Sequence, residues 1–260
     1  MSDEIRSVIE AQRRWAERGG FPVGPSGDRL LNETDALVMP LLPAVRESLA
    51  AGKGNELTRI PSLRSSSCLA INVFQPWHQD PSSIASVLGA EGALDEMQFE
   101  ATQPTGLRGV PPHLDVLITG EGPAIGVESK FLEMYEPTSN TFEDSYFDDL
   151  QLWGDLSKSR DLALAVARAE VEFVWLGAAQ LLKHALGLSR NQPSGFQLVL
   201  AWYRVDGDIA DQIDSEIGRF AAAVDFPFQA MTYQHLVPRL PRAAEPLPGY
   251  FDYLADRYLL

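Results

Sequence analysis

The amino-acid sequence predicts a mixed α/β (α+β) fold, with a mixed central sheet flanked by helices and an N-terminal helical lobe. Three observations carry this prediction. Helical patterns occupy the N-terminal third of the chain, three short segments rich in β-branched and aromatic residues follow over residues 97–131, and helical and strand-like patterns then alternate to the C-terminus. Because a sheet buries its apolar surface against helices in such an arrangement, a layered core is the favoured architecture.

The N-terminal region, residues 1–80, is expected to consist of helices. Residues 4–18 carry apolar side chains at helical spacing, and the segment GGFPVGPSGD after them is expected to be a loop because of its Gly and Pro content. A second helix is predicted over residues 33–51, ended by the sequence AGKGN. Residues 66–75 are apolar and fit either a helix or a strand, and Pro76 ends them.

Residues 81–260 are expected to form the core, in one compact unit with the N-terminal region. The strands predicted here are 97–102, 113–119, 124–131, 196–204 and 229–235. The helices predicted here are 81–90, 160–187, 208–224 and 248–259. The segment FQLVLAWYR is the clearest buried strand, because most of its residues are apolar.

The negative charge of the chain is large and unevenly distributed. The formal net charge is −15, and residues 65–155 contain two basic and fifteen acidic residues, a net charge of −13. Such a segment repels phosphate unless bound divalent cations or a second surface supply positive charge. The arginines that the sequence offers for phosphate contacts lie in the first 64 residues: Arg6, Arg13, Arg14, Arg18, Arg59 and Arg64.

The sequence shows no pattern typical of secretion or membrane insertion. The N-terminus lacks the apolar segment of a signal peptide, and no apolar run approaches the roughly 20 residues needed to span a bilayer. The single Cys68 excludes an intramolecular disulfide and cannot alone form a cysteine zinc site. A cytoplasmic protein without membrane contact is therefore expected.

Three charged residues are predicted to share one face of a β-hairpin. Strand alternation places Glu128 and Lys130 on the same face, and the segment GEGP between the two strands has the composition of a four-residue hairpin loop. With Thr119 paired to Ala124 across this loop, the register continues residue by residue along both strands. It then places Asp115 directly opposite Glu128. A slip of one residue would send Asp115 to the other face.

This arrangement indicates a metal site. Two neighbouring carboxylates repel each other unless a cation, a proton or the ammonium group of Lys130 intervenes. Hard oxygen ligands suit Mg²⁺ or Mn²⁺, and a bound ion activates water and stabilises charge on a phosphate. The expected ligands are Asp115, Glu128 and the backbone carbonyl of Ser129. Lys130 is expected to orient the water or to neutralise developing negative charge.

The pattern D-x(12)-E-x-K, formed by Asp115, Glu128 and Lys130, resembles the PD-(D/E)XK phosphodiesterase superfamily, which includes type II restriction endonucleases and phage lambda exonuclease. The resemblance implies a restriction-endonuclease-like core and a Mg²⁺-dependent endo- or exodeoxyribonuclease with these three residues as its catalytic set. It also implies a further acidic ligand upstream, which Glu100 matches. The proline that often precedes the aspartate is absent, since Leu114 stands there.

Other residues are secondary candidates. Helices after the E-x-K strand in the superfamily often present a glutamine or a tyrosine to the site. Gln180 is therefore expected either to support the site or to be an ordinary polar group at a helix–sheet junction. His113 is expected either to assist on the face of Asp115 or to be a hydrogen-bonded residue at the strand end. Lys183 and His184 are expected at the helix surface or near its C-terminus.

The chain after the hairpin is acidic and aromatic. Glu133 is about equally expected to reach a second metal or to lie in a loop, and Glu136 is expected in a solvated loop. Residues 141–153 are expected to be a surface loop that packs its own aromatic side chains. The alternative for this segment is a mobile flap that stacks on bases.

The expected partner is nucleic acid, DNA before RNA, with a homodimer or a partner protein supplying the missing positive surface. One alternative is a catalytically silent module that keeps the nuclease fold and acts by binding. A third reading is a hydrolase that uses Asp115 and Glu128 as acid and base on a sugar, which leaves Lys130 without a role.

Overall fold

A five-stranded mixed sheet flanked by helices forms the protein in a computed structural model, which describes residues 3–51 and 56–259. The strands are β1 (Leu94–Thr102), β2 (His113–Gly120), β3 (Ala124–Lys130), β4 (Phe196–Trp202) and β5 (Phe228–Thr232). They lie in sequence order across the sheet, with β1, β2 and β3 antiparallel and β3, β4 and β5 parallel. The predicted fold class is confirmed, and each of the five predicted strands is present.

The described residues also form ten α-helices. They are α1 (Asp3–Arg18), α2 (Pro43–Ala51), α3 (Glu56–Arg59), α4 (Ser66–Phe74), α5 (Pro81–Val87), α6 (Ser157–Ala167), α7 (Ala178–Asn191), α8 (Asp208–Ala223), α9 (Tyr233–Leu236) and α10 (Tyr250–Tyr258). Short 3₁₀ helices lie between them at Glu33–Ala36, Gln75–Gln79, Glu133–Tyr135, Asp144–Tyr146, Leu150–Trp153, Val237–Arg239 and Arg242–Ala244. No helix in the part of the chain that the structure describes is long and apolar enough to cross a membrane.

Helix α7 lies against the sheet beside the hairpin of β2 and β3. It packs on β3 and β4, while α4 packs on β2 and β3. A Cβ atom at Gly126 would lie 2.8 Å from Leu188, so glycine in β3 permits the close approach of α7. A Cβ atom at Gly187 would lie 2.5 Å from the carbonyl oxygen of Gln103, so this glycine admits the chain that follows β1. Both contacts position α7 for the candidate site.

The helix predicted over residues 33–51 is wrong in its first half. A short 3₁₀ helix covers Glu33–Ala36, and α2 begins only at Pro43. The rings of Pro40 and Pro43 lack backbone donors and would clash with the preceding helical turn, so one continuous helix cannot form. The sequence AGKGN, which is predicted to end this helix, includes residues 52–55, and these lie outside the described residues.

The single long helix predicted over residues 160–187 is also wrong, because residues 168–177 separate α6 from α7. The carboxylate of Glu216 accepts hydrogen bonds from three consecutive backbone amides in the break: Val174, Trp175 and Leu176. The side chain of Asn140 holds three further backbone groups around it: the carbonyls of Phe173 and Leu176 and the amide of Ala179. Distant side chains thus satisfy the backbone groups that a continuous helix would have paired.

Two side-chain caps settle the remaining boundaries. Residues 66–75 are helical as far as Phe74, and the hydroxyl of Ser65 caps α4 by accepting a 3.0 Å hydrogen bond from the amide of Cys68. The strand predicted to reach residue 235 ends at Thr232, whose hydroxyl caps α9.

The N-terminal region contacts the rest of the chain through α1 on α10 and α4 on the sheet. Its treatment as a separate segment, residues 1–80, stays a prediction.

Candidate functional site

The β2–β3 hairpin has the predicted register. The paired residues are Val116 with Val127, Leu117 with Gly126, and Ile118 with Ile125. Continued by one residue, this register places Asp115 opposite Glu128. The carboxylate of Asp115 also binds the next residue of β3, because its Oδ2 accepts a 2.7 Å hydrogen bond from the amide of Ser129.

The carboxylate of Glu128 is the buried centre of the candidate site, with 2% of the residue exposed. Its Oε1 lies 2.7 Å from Nζ of Lys130 and accepts a 2.7 Å hydrogen bond from Nε2 of Gln180. Its Oε2 lies 3.0 Å from Nε2 of His184, but the two atoms lack hydrogen-bond geometry, and neither has a hydrogen-bond partner among the described residues. Burial favours the neutral acid, yet Lys130 and His184 outweigh it and lower the pKa of Glu128 below its usual range.

The pKa of Asp115 is shifted in the opposite direction from that of Glu128. The residue is half-buried. Burial and the charge of Glu128 raise the pKa of Asp115 well above its usual range, and Lys130 offsets only part of that rise. A pair of carboxylates in which one resists ionisation is a pair that a bound cation would stabilise.

Glu100 extends this acidic group onto β1. The pairing of β1 with β2 keeps one register on both sides of Glu100, which places it opposite Asp115. Its φ angle of +50° lies in the left-handed region, which costs a residue other than glycine about 1–3 kcal/mol and is concentrated at functional sites. Burial, followed by the charges of Glu56 and Glu128, raises the pKa of Glu100 to about 7.

Lys130 connects the hairpin to α7. Its ammonium group donates a 3.0 Å hydrogen bond to Oε1 of Gln180, in addition to its ion pair with Glu128. Burial disfavours the charged form, but Glu128 and Glu133 outweigh it and raise the pKa of Lys130 above its usual range. Lys130 therefore stays charged at neutral pH, with 20% of its side chain exposed.

The structure brings Gln180 to the site and keeps His113 at its edge. Gln180 bridges the carboxylate and the ammonium group of the hairpin. His113 lies with its Nδ1 3.3 Å from Oγ1 of Thr102 and 3.4 Å from the carbonyl oxygen of Glu100. Its ring therefore contacts the strand end and the backbone of one candidate ligand.

The prediction for His184 is wrong, since the residue is 1% exposed and lies against Glu128. Its position four residues after Gln180, on the same face of one helix, was the available signal. Tyr233 was also missed. Its hydroxyl lies 2.6 Å from the hydroxyl of Ser129 and is fully buried. No sequence pattern near Tyr233 indicated this contact, which depends on β5 lying beside β4.

In the acidic and aromatic segment after the hairpin, some side chains contact the protein backbone or each other, and others lie at the surface. Glu133 accepts a 3.0 Å hydrogen bond from the amide of Phe131, and Glu136 forms an exposed ion pair with Arg64. The prediction that residues 141–153 pack their own aromatic side chains is confirmed. The rings that contact Phe142 are Tyr146, Phe147 and Trp153.

Gln180 lines two cavities beside the hairpin. The smaller, of about 100 Å³, also contacts Lys130 and Glu133. The larger, of about 400 Å³, also contacts His184 and Arg108. The polar groups around Glu128 therefore adjoin space that a substrate can occupy.

The donor chemistry of the site suits a hard divalent cation. Within the described residues, no group of three or more His, Cys, Asp or Glu side chains is placed so that it could by itself hold a metal ion. Mg²⁺ does not require one, because it keeps several waters and takes one or two carboxylates together with oxygen atoms of the substrate. Asp115, Glu128 and Glu100 offer such oxygens, and Oε2 of Glu128 lacks a hydrogen-bond partner within this part of the chain. The residues present fit the ion that the resemblance implies.

Comparison with protein families gives an assignment that agrees with this fold. The family described as restriction endonuclease associating with ARP matches residues 17–259, nearly the whole chain. No curated protein and no solved structure matched the chain. A restriction-endonuclease family indicates a nuclease-like function, and the five-stranded mixed sheet flanked by helices is consistent with it. The chain belongs to the family of restriction endonucleases associating with ARP.

Proposed function

We propose that the chain is a Mg²⁺- or Mn²⁺-dependent nuclease that hydrolyses phosphodiester bonds in DNA, with Asp115, Glu128 and Lys130 as its catalytic residues. The observation that carries this proposal is the buried carboxylate of Glu128, which lies 2.7 Å from the ammonium group of Lys130 and next to a second carboxylate, that of Asp115. An exposed Glu–Lys pair would contribute only about 0–1 kcal/mol to stability. Here both charges are largely removed from water, which is costly for stability and is typical of functional sites.

Each residue has a role that its contacts support. Asp115, Glu128 and the backbone carbonyl of Ser129 would hold the ion, with Glu100 as a further oxygen donor. When bound, the ion supplies an activated water and stabilises negative charge on the phosphate.

Groups around these ligands orient the site and supply charge. Lys130 places a permanent positive charge beside the ligands and neutralises charge that develops on the phosphate oxygens. Gln180 fixes the orientation of the Glu128 carboxylate through its 2.7 Å hydrogen bond.

A partner protein is part of the proposal. The net charge of −15 disfavours strong binding of a DNA duplex by the chain alone. The family description associates its members with ARP. We propose that a protein partner, or a second copy of the chain, supplies the positive surface that duplex DNA requires.

The silent binding module is the second candidate, and one observation favours it. Lys130, Gln180 and His184 already surround Glu128, and no three acidic or histidine side chains in the described part of the chain form a cage. In that case the buried charges would have a structural role. Metal binding and cleavage distinguish the two candidates.

The test is a cleavage panel with Mg²⁺ or Mn²⁺ over linear duplex, circular duplex and single-stranded DNA, with RNA for comparison. Wild-type protein is expected to cleave at least one DNA substrate. Asp115→Asn and Lys130→Ala are expected to lose at least 100-fold in rate, since each removes a group that acts on the reacting phosphate. Glu121→Gln is the matched control, because it changes an exposed carboxylate in the turn of the same hairpin.

Calorimetry with Mn²⁺ completes the test. Asp115→Asn is expected to weaken binding, whereas Glu121→Gln leaves it unchanged. If wild-type protein cleaves none of the substrates and Asp115→Asn binds Mn²⁺ as wild type does, the nuclease proposal is wrong and the binding-module reading stands.

A further inference from the structure

The larger cavity next to the candidate site is a cleft with two walls and a floor. One wall is the loop between β1 and β2, where Arg108 and Val110 line the cavity. The other wall is the segment around Thr141. The floor is α7, where Gln180 and Lys183 line the cavity. Because Gln180 also binds Glu128, the floor of the cleft is one side chain away from the proposed catalytic carboxylate.

Both walls are held by contacts with fixed parts of the fold. In the first wall, the carbonyl of Pro104 accepts a 2.9 Å hydrogen bond from Asn191 at the end of α7. In the second wall, Asn140 contacts the backbone at the start of α7, and the carbonyl of Thr141 accepts a 2.9 Å hydrogen bond from Lys183. The cleft is therefore a built feature of the fold.

The positive charge of the acidic segment is concentrated here. Residues 65–155 contain only two basic residues, Arg108 and Lys130. The first lines the cleft and the second lies in the candidate site, and Lys183 adds a third positive charge from α7. Glu143 is the acidic residue that lines the cleft with them. Within a segment that otherwise repels phosphate, one cation therefore lines the cleft and the other lies in the adjacent candidate site.

Arg108 is available to a ligand. It is exposed and has no hydrogen-bond or ion-pair partner within the described residues. Four of the other arginines are used in ion pairs with carboxylates: Arg6 with Asp3, Arg18 with Asp256, Arg59 with Glu56 and Arg64 with Glu136. The ammonium group of Lys183 donates to the carbonyl of Thr141 and lies 5.0 Å from the centre of the Phe142 ring, and an ammonium group carries three donors in all.

We propose that this cleft binds a single DNA strand through its phosphates, on Arg108 and Lys183, and leads it to the proposed catalytic site. A guanidinium group binds a phosphate through two parallel hydrogen bonds, and an ammonium group acts as a point charge. A volume of about 400 Å³ falls within the range of roughly 300–1,000 Å³ that suits a small ligand, and it holds a nucleotide rather than a double helix. A duplex would also place its second row of phosphates against the acidic surface outside the cleft.

The inference rests on the proposed nuclease function, but its test measures binding alone. Fluorescence anisotropy would follow a labelled 15-nucleotide thymidine strand and a duplex of equal length, with Ca²⁺ in place of Mg²⁺. Wild-type protein is expected to bind the single strand about tenfold or more tightly than the duplex. Arg108→Ala and Lys183→Gln are each expected to weaken single-strand binding about tenfold, the loss expected for one charge-assisted hydrogen bond.

Two further readouts separate phosphate binding from a structural effect. Each of the two variants is expected to reduce the slope of log Kd against log salt concentration by about 0.7, the value for one lost phosphate contact on a single strand. Glu143→Gln is expected to tighten binding, because it removes the negative charge from the cleft. Arg168→Ala, an exposed arginine at the end of α6, is the matched control and is expected to change neither Kd nor slope.

The proposal is overturned if the duplex binds as tightly as the single strand, or if Arg108→Ala and Lys183→Gln keep the wild-type Kd and slope. It is supported if the strand binds as described and the two variants lose affinity and slope together. Binding of this kind without any cleavage would contradict the nuclease function and leave the cleft assignment in place. Cleavage that depends on Asp115 but not on Arg108 would support the nuclease function and contradict the cleft assignment.

Discussion

Nε2 of Gln180 donates a 2.7 Å hydrogen bond to Oε1 of Glu128, so a residue of α7 fixes the orientation of a carboxylate on β3. The same glutamine accepts a hydrogen bond from Lys130 through its Oε1. One side-chain amide therefore donates a hydrogen bond to an anion and accepts one from a cation, because glutamine carries both an NH₂ group and a carbonyl.

Replacing Gln180 by leucine should impair metal binding at the site. The carboxylate of Glu128 would lose the donor that orients it, and changes of this kind typically cost 10–100-fold in metal affinity or activity. We expect Mn²⁺ affinity, measured by calorimetry, to fall within that range. Gln192→Leu at the end of the same helix is the control, and equal losses in both variants would contradict the assigned role.

The ion pair between Glu128 and Lys130 should be revealed by comparing a single variant with a double variant. Lys130→Met leaves a buried carboxylate without its main partner and is expected to lower the free energy of unfolding by about 3–5 kcal/mol. The double variant Glu128→Gln with Lys130→Met removes both charges and is expected to recover most of the loss. Urea unfolding in EDTA measures both effects. A single variant as stable as wild type would show that the pair does not hold the site.

Asp225 should make the stability of α6 depend on pH. Its carboxylate accepts hydrogen bonds from the amides of Lys158 and Ser159, at 2.7 and 3.2 Å, at the first turn of the helix. Burial opposes ionisation, but the hydrogen bonds from Ser159 and Lys158 outweigh it and lower the pKa of Asp225. A lowered pKa means that this stabilisation is present above about pH 4 and is lost as the pH falls through the folded-state value.

Asp225→Ala is therefore expected to lower the free energy of unfolding by about 0.5–2 kcal/mol at pH 7, as for the loss of a helix cap. The difference from wild type should shrink as the pH falls below about 4. Asp161→Ala, an exposed carboxylate on the same helix, serves as the control. A loss that stays constant down to pH 3 would show that the ionised carboxylate is not the stabilising form.

Arg257 should be irreplaceable by lysine. It is 1% exposed, and its guanidinium group lies 4.3 Å from the centre of the Trp15 ring. Its hydrogen bonds go to the carbonyl of Ala36, the hydroxyl of Tyr253 and the amide oxygen of Gln12. Lysine cannot reproduce this planar fork, so Arg257→Lys is expected to cost about 2–4 kcal/mol in urea unfolding. Arg18→Lys, on an exposed ion pair, is expected to cost less than about 1 kcal/mol.

Most elements of the fold followed from local patterns. The five strands and helices α1, α5, α8 and α10 lie close to where periodicity placed them. The two errors in helix length had different origins. The break before Pro43 was present in the sequence as two prolines, whereas the break between α6 and α7 depends on Glu216, which follows Val174 by 42 residues. No local pattern contains a partner so far along the chain.

The sequence by itself determined the hairpin and its register, because strand alternation and a four-residue turn act between neighbours. It thereby placed Asp115 beside Glu128 and Lys130. Only the tertiary structure decided that His184 is buried against that carboxylate and that Glu100 takes a positive φ angle. Both depend on how α7 and β1 lie against the hairpin, and such contacts between distant segments are absent from any local pattern of residues.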